Sequence, residues 1–154
     1  MILIKQRSKS RRLVNYKHYL YHFTHPSNLP SIKKYGLLSW ERLDQSGIFY
    51  LPASNSLSQN LDLKKGLSDY VRLSLNQKHP MADAAIYYGR VDRLIYIKIH
   101  PAVINFSETL FSDENATANF AIIDNDPFTA LNSSSKQAEI LVKGVIEPKY
   151  IIFN

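Results

Sequence analysis

The stretch Lys136-Gln137-Ala138-Glu139-Ile140-Leu141-Val142-Lys143 decides how this chain is read. Its β-branched and aliphatic residues favour a strand over residues 138–143, and strand alternation places Gln137, Glu139 and Leu141 on one face. A lone carboxylate entering an apolar strand is costly to bury unless it is paired or opens on a cleft. From spacing alone, a glutamate facing water is the plainer reading, because half-buried strands carry polar residues on one face. The pair Gln137 and Glu139 stands at a strand start directly after a serine-rich loop at 132–135, however, and that placement weighs the other way through the resemblance given below.

Working outward, residues 149–153 read as a closing strand, set off by Gly144 and Pro148. Upstream, Leu94, Tyr96 and Lys98 alternate with Ile95, Ile97 and Ile99 until Pro101 ends the strand. Residues 70–75 are predicted as a strand and 81–88 as a short helix stopped by Gly89. Near the start, Tyr19 to Thr24 reads as a strand ending at His25 and Pro26, after which Ser27 caps a short helix with Leu29 and Ile32 on one face and Gly36 at its stop. A strand is predicted over 48–51, followed by a polar segment at 52–68 without a convincing period, read as a long functional loop. The sum is an α+β domain with short strands in mixed sheets and a few short helices.

The 154 residues, 45% of them hydrophobic, suit one domain over residues 18–154, preceded by a basic arm at 1–17 that carries Lys5, Arg7, Lys9, Arg11, Arg12 and Lys17. Apolar runs are broken by charges such as Arg93 and Lys98 before they could cross a bilayer, so no membrane association is expected and the protein is placed in the cytoplasm. There is no cysteine and the five histidines are scattered, which makes a metal centre a poor expectation. The formal charge of +6 favours a polyanionic partner, although a solvated basic surface explains it equally well.

A second cluster runs from Tyr21 to Ile32, where His22 and Thr24 share a strand face and converge on the start of a helix. Alone, a strand histidine is more often a structural hydrogen-bonding residue than a site. Tyr35, Trp40, Tyr50 and Phe128 are candidate stacking groups, against the plainer reading that aromatics of small domains belong to the core.

The Gln137–Glu139 pair resembles the signature of ADP-ribosyltransferases. Four stretches in order, Tyr21 to Ile32 with Tyr35 to Ser39, Asp69 to Met81, Thr109 to Thr117 and Lys136 to Lys143, resemble the DarT family of toxins. That resemblance implies a single-domain ADP-ribosyltransferase-like fold. It also implies transfer of ADP-ribose from NAD, a co-substrate, to a thymine or guanine base of single-stranded DNA, and a macrodomain antitoxin of the DarG type that removes the mark. On it, Glu139 would drive transfer together with His22, and His22, Thr24, Asn28, Leu29 and Tyr50 would hold NAD. Gln137, Lys136, Met81 and His79 would meet the substrate, with the loop from Asp126 to Lys136 presenting the DNA to a monomeric enzyme.

The chemistry is coherent. Cleaving the nicotinamide bond leaves positive charge on the ribose, and a carboxylate beside it interacts best as that charge develops. A neutral Gln137 suits a base edge better than a guanidinium, and a base outside the stack can reach an enclosed site. The sequence departs from the family in one respect: members usually place an arginine in the loop before the strand at Tyr70, whereas here none occurs between Arg42 and Arg72, and Lys64 and Lys65 do not replace its planar contact. An acceptor in RNA or protein, or a catalytically weak nucleic-acid-binding descendant, are the alternatives.

Overall fold

The computed structural model describes residues 13–52, 56–78 and 80–153. Among the described residues nine strands form two sheets, with helices between them. The strands are β1 (Leu20–Thr24), β2 (Leu37–Leu38), β3 (Tyr70–Ser74), β4 (Ile95–Ile99), β5 (Leu110–Ser112), β6 (Ile123–Asp124), β7 (Glu139–Lys143), β8 (Val145–Ile146) and β9 (Ile151–Ile152). The helices are α1 (Leu29–Tyr35), α2 (Trp40–Ser46), α3 (Ser56–Lys65), α4 (Pro80–Tyr87) and α5 (Pro127–Leu131). The larger sheet runs β6-β5-β7-β3-β1-β4-β9, every pairing antiparallel, and β2 pairs with β8.

One join in the larger sheet is weak. β1 pairs with β4 at five positions and β3 with β7 at five, but β1 and β3 meet at a single pair, Tyr21 with Ser74. Beyond that pair the strands part, and the residues that would have continued the ladder, His22 to Thr24 on one side and Tyr70 to Leu73 on the other, line a cleft instead.

β7 is covered on both faces. Ile140 and Val142 enter the main core with Leu20, Leu73, Ile99 and Phe111, while Leu141 enters a smaller cluster with Leu67, Leu110, Ala116 and Ile123. This explains why its sequence is a continuous apolar run. The strand begins at Glu139 and not at Ala138, so Gln137 lies in the preceding turn and the alternation predicted for Gln137, Glu139 and Leu141 holds only for the last two.

Several other expectations change. Residues 48–51 form no strand. The segment at 52–68 is not a plain loop, because it contains α3, whose buried member among the described side chains is Asp62, so no apolar stripe announced it. The loop from Asp126 to Lys136 begins with α5, capped by the Asp126 side chain, which accepts from the Phe128 N–H. Ser27 is not the cap of the first helical turn; the His25 ring accepts from the Ser27 N–H. β4 and β7 start one residue later than read, and residues 149–150 belong to a short 3-10 turn before β9. α2, β2, β5, β6 and β8 were not anticipated.

Gly36 closes α1 at φ 84°, where a Cβ would sit 2.2 Å from the Ile146 carbonyl oxygen. Glycine is required there on both counts. Of the basic arm, residues 1–12 lie outside the described residues, while Val14 and Tyr16 pack against the main core and Val14 exchanges backbone hydrogen bonds with the Asn105 side chain.

Candidate active site

The cleft between β1 and β3 encloses about 200 Å3. Its wall combines aromatic and aliphatic groups, Tyr35, Trp40, Leu43 and Tyr50 among them, with the polar side chains of His22, Thr24, Asp62, Arg72, Ser74 and Glu139. Few precisely placed polar groups on an apolar wall is the usual make-up of a small-molecule site.

Glu139 stands at the first position of β7 and only 3% of it is exposed. Its partner is Arg72, diagonally across the β3–β7 ladder: the Arg72 Nε donates to Oε2 at 2.5 Å and Nη2 to Oε1 at 2.6 Å. This two-pronged contact supplies the pairing that a carboxylate in an apolar strand demands. Arg72 is held in turn by the Asn115 side-chain Oδ1, 2.6 Å from Nη2, and by Asp62, 3.4 Å from Nη1. Burial works against the guanidinium charge, but Glu139 and Asp62 outweigh it and raise its proton affinity.

Asp62, from α3, accepts from the Trp40 indole N–H at 3.3 Å. Burial pushes its carboxyl above the ordinary range, opposed by Arg72. Lys65, one turn on, donates to the carbonyls of Ala116 and Ala118 and so ties the segment bearing Asn115 to α3. Burial and the nearby Arg72 lower its proton affinity. Asn115 also donates to the Met81 sulfur at 2.6 Å, which links α4 to the same cluster.

His22 occupies the opposite wall. Its Nδ1 lies 3.1 Å from the Arg72 carbonyl oxygen, a group freed where β1 and β3 part. A carbonyl only accepts, so Nδ1 carries the hydrogen and Nε2 is left as an acceptor. Loss of solvent around the ring lowers its pKa, only partly offset by that hydrogen bond, and the ring is neutral at pH 7. Arg72 thus touches both residues singled out in the sequence, His22 through its backbone and Glu139 through its side chain.

The remaining expected site residues divide clearly. Thr24, Tyr50 and Met81 line the cleft. Asn28 lines it too, but its amide is committed: Nδ2 donates to Thr24 Oγ1 and the Leu51 carbonyl, while Oδ1 accepts from the Leu51 N–H. A side chain here plays the part of a neighbouring strand and fixes residues 50–52 as the cleft rim. Tyr50 donates to Asp44 at 3.2 Å. Leu29 packs against the main core and is absent from the cleft wall. Gln137 and the exposed Lys136 lie in the turn before β7, away from the cleft wall. His79 lies outside the described residues. Tyr35, Trp40 and Tyr50 reach the cleft, whereas Phe128 is exposed on α5 and does not.

Arg72, Asp62 and Asn115 were not among the candidates. An arginine at an alternate position of an apolar strand, two strand steps from a carboxylate in the paired strand, is the one signal that could have pointed to the first. Among the described residues there is no group of three metal-ligating side chains, and no helix is long and apolar enough to cross a membrane.

Comparison with known proteins places this geometry in context. Residues 21–133 match the family model described as "ssDNA thymidine ADP-ribosyltransferase, DarT". The match spans β1 to the end of α5 and stops six residues before Glu139. No curated protein matches. The fold is similar to that of Thermosipho africanus DarTG in complex with ADP-ribose, with a TM-score of 0.72 and 22% identity over 88% of this chain. It is similar also to Thermus sp. 2.9 DarT in complex with ADP-ribosylated ssDNA, at a TM-score of 0.66 and 20% identity over 87% of this chain and 78% of that one. The same Thermus protein in complex with NAD+ gives 0.60 and 21%, over 87% of this chain and 79% of that one. This chain spans 43% of the Thermosipho protein. The likeness in fold covers 88% of this chain, a larger share than residues 21–133 of the family match.

Proposed function

This chain belongs to the DarT family, and on that footing we propose that it transfers ADP-ribose from NAD to a base of single-stranded DNA, with Glu139 as the catalytic carboxylate. The junction at Arg72 carries the reading: one residue holds His22 by its carbonyl and Glu139 by its guanidinium, so both face one cleft. The donor set suits a dinucleotide. Aromatic faces at Trp40 and Tyr50 suit flat rings, and an acceptor nitrogen on His22 and the carboxylate of Glu139 suit ribose hydroxyls.

NAD supplies a sugar carbon bearing a leaving group that departs neutral, taking the electron pair of the glycosidic bond with it. Each Glu139 oxygen accepts one Arg72 N–H and keeps a lone pair for a hydroxyl. The carboxylate interacts most strongly when the sugar is most positive, which lowers the barrier to transfer. The attacking base nitrogen forms the new bond to the sugar carbon and gives up its proton to solvent water. Arg72 keeps Glu139 from swinging away and takes the place of the loop arginine missing between Arg42 and Arg72 only in the sense that it brings a guanidinium to the cleft.

Thymine is the favoured acceptor, since the family description names thymidine, with guanine as the other outcome. The name DarTG of the Thermosipho relative supports a toxin countered by a DarG-type macrodomain antitoxin. We place the catalytic unit in residues 18–154, acting in the cytoplasm as a monomer, with the basic residues of 1–17 meeting phosphate.

Mass analysis of short oligonucleotides of differing base content, after incubation with NAD, tests the reading. A mass increase of one ADP-ribose on thymine- or guanine-containing single strands, lost in Glu139→Gln, is expected. Labelling of RNA or protein but not DNA, or undiminished labelling by Glu139→Gln, would overturn it.

A further inference from the structure

Met81, in the first turn of α4, lines the cleft, and the face of α4 that bears it continues to the C-terminal end of the helix. Tyr88 lies seven residues on, still in helical register because its N–H donates to the Ala84 carbonyl at 2.9 Å. Seven residues complete two helical turns, so Met81 and Tyr88 share a face and stand about 10.5 Å apart along it. Tyr87 packs edge-on against Tyr88, with ring centroids 5.0 Å apart. The two residues are 83% and 71% exposed. Exposed tyrosines side by side are not core residues, and nothing in the fold of the described residues covers them.

The segment that follows is tied to the cleft. Asp92 meets His25 Nε2 at 2.7 Å, and His25 directly follows β1, whose end forms the cleft wall. That contact occupies the acidic residue of the turn. Arg90 and the exposed Arg93 follow the tyrosines in the chain, so the segment from 87 to 93 carries two exposed aromatic residues and two cations. A membrane or an apolar protein surface would need aliphatic neighbours, and α4 contributes only Ile86 to the exposed surface here.

We propose that Tyr88, supported by Tyr87, is the stacking platform for a nucleotide beside the target base, and thereby helps to set sequence context. The proposal rests on the single-stranded DNA reading given above. At ~3.4 Å per nucleotide in a stacked strand and more in an extended one, 10.5 Å puts the stacked base no more than about three nucleotides from the base entering the cleft. Base–aromatic stacking is tolerant of sequence, so purines, with the larger faces, are preferred at that position without being required.

The test uses the full chain, NAD and single-stranded oligonucleotides with one target base. Tyr88→Ala is expected to raise KM for the oligonucleotide about tenfold, with kcat and DNA-independent NAD consumption unchanged, and Tyr88→Trp to restore it. An abasic site scanned along the oligonucleotide should cost the unaltered protein the same factor at one position within three nucleotides of the target, and cost Tyr88→Ala nothing there. Equal abasic losses in both proteins, or an unchanged KM, overturn the platform. A change confined to self-association overturns it too and makes the patch a contact between copies. If no DNA is modified at all, the functional reading fails on its own. Fluorescence anisotropy of a labelled oligonucleotide then decides the platform, through a roughly tenfold loss of affinity in Tyr88→Ala or none.

Discussion

Arg72 grips Glu139 in two parallel hydrogen bonds, from Nε at 2.5 Å and from Nη2 at 2.6 Å, while its own backbone carbonyl accepts from His22 at 3.1 Å. A single residue of β3 therefore sets the position of groups on both walls of the cleft. The arrangement exists because β1 and β3 part after one ladder pair, which frees a carbonyl for the imidazole and opens room for the guanidinium.

Removing that guanidinium takes away the hydrogen-bonded cation of Glu139 and Asp62 and leaves only the more distant charge of Lys65. Arg72→Ala is expected to cost about 3–5 kcal/mol of stability and to lower Tm by roughly 10 °C. Arg72→Lys restores the charge but not the two-pronged geometry, so it should fold and transfer ADP-ribose poorly. Thermal denaturation beside NAD consumption separates the two effects. A fully active Arg72→Lys would show that the fixed orientation of Glu139 is unimportant.

His22 makes stability depend on pH with a definite sign. Its folded pKa lies below the ordinary value of 6.5, mainly because the ring has lost solvent. As pH falls below 6.5 the unfolded chain takes up a proton that the folded protein resists, so stability contributed by the neutral ring is lost toward acid. Asp62 acts oppositely, since burial raises its pKa above 3.8 and its contribution is lost as pH rises through the raised value. His22→Asn keeps a donor for the Arg72 carbonyl and leaves Asp62 in place. The difference between the two stability–pH curves thus isolates the imidazole, and His22→Asn should lose less stability between pH 6.5 and acid. Parallel curves would show that the ring titrates as it does in water.

Asn28 acts through Leu51. Asn28→Ala unties the rim and leaves the Leu51 N–H and carbonyl without their partner, which should cost about 1–3 kcal/mol. Asn28→Asp keeps the acceptor for the Leu51 N–H but sets an unpaired carboxylate against the Leu51 carbonyl, so it should lose at least as much. Both should raise KM for NAD more than they lower kcat, as steady-state NAD consumption would reveal; an unchanged KM would mean the rim does not contact the dinucleotide.

Gly36→Ala tests the packing of β8 against the end of α1. A left-handed backbone and a Cβ 2.2 Å from the Ile146 oxygen leave no room to adjust, and a loss of at least ~2 kcal/mol in denaturant unfolding is expected. Gly47→Ala, where a Cβ meets nothing within 4 Å, should cost less and serves as the comparison.

Local pattern sufficed for the elements whose residues speak for themselves. β1, β3, β4 and β7 were legible because β-branched and aromatic residues cluster between prolines and glycines, and the stop of α1 because Gly36 tolerates a backbone that other residues avoid. Glu139 and His22 were singled out by the resemblance of the motifs that hold them, since residue type alone favoured a water-facing glutamate and a structural histidine. α3 could not be read, because among its described side chains the buried one is Asp62, whose enclosure makes sense only beside Arg72 and Trp40. Nor could Arg72 be assigned, since its partner lies 67 positions away and is brought within reach by the β3–β7 register alone. Periodicity reports which face of a segment is apolar; which polar groups meet across a sheet, and where two strands separate to admit a ligand, depend on pairing between distant segments that no local window contains.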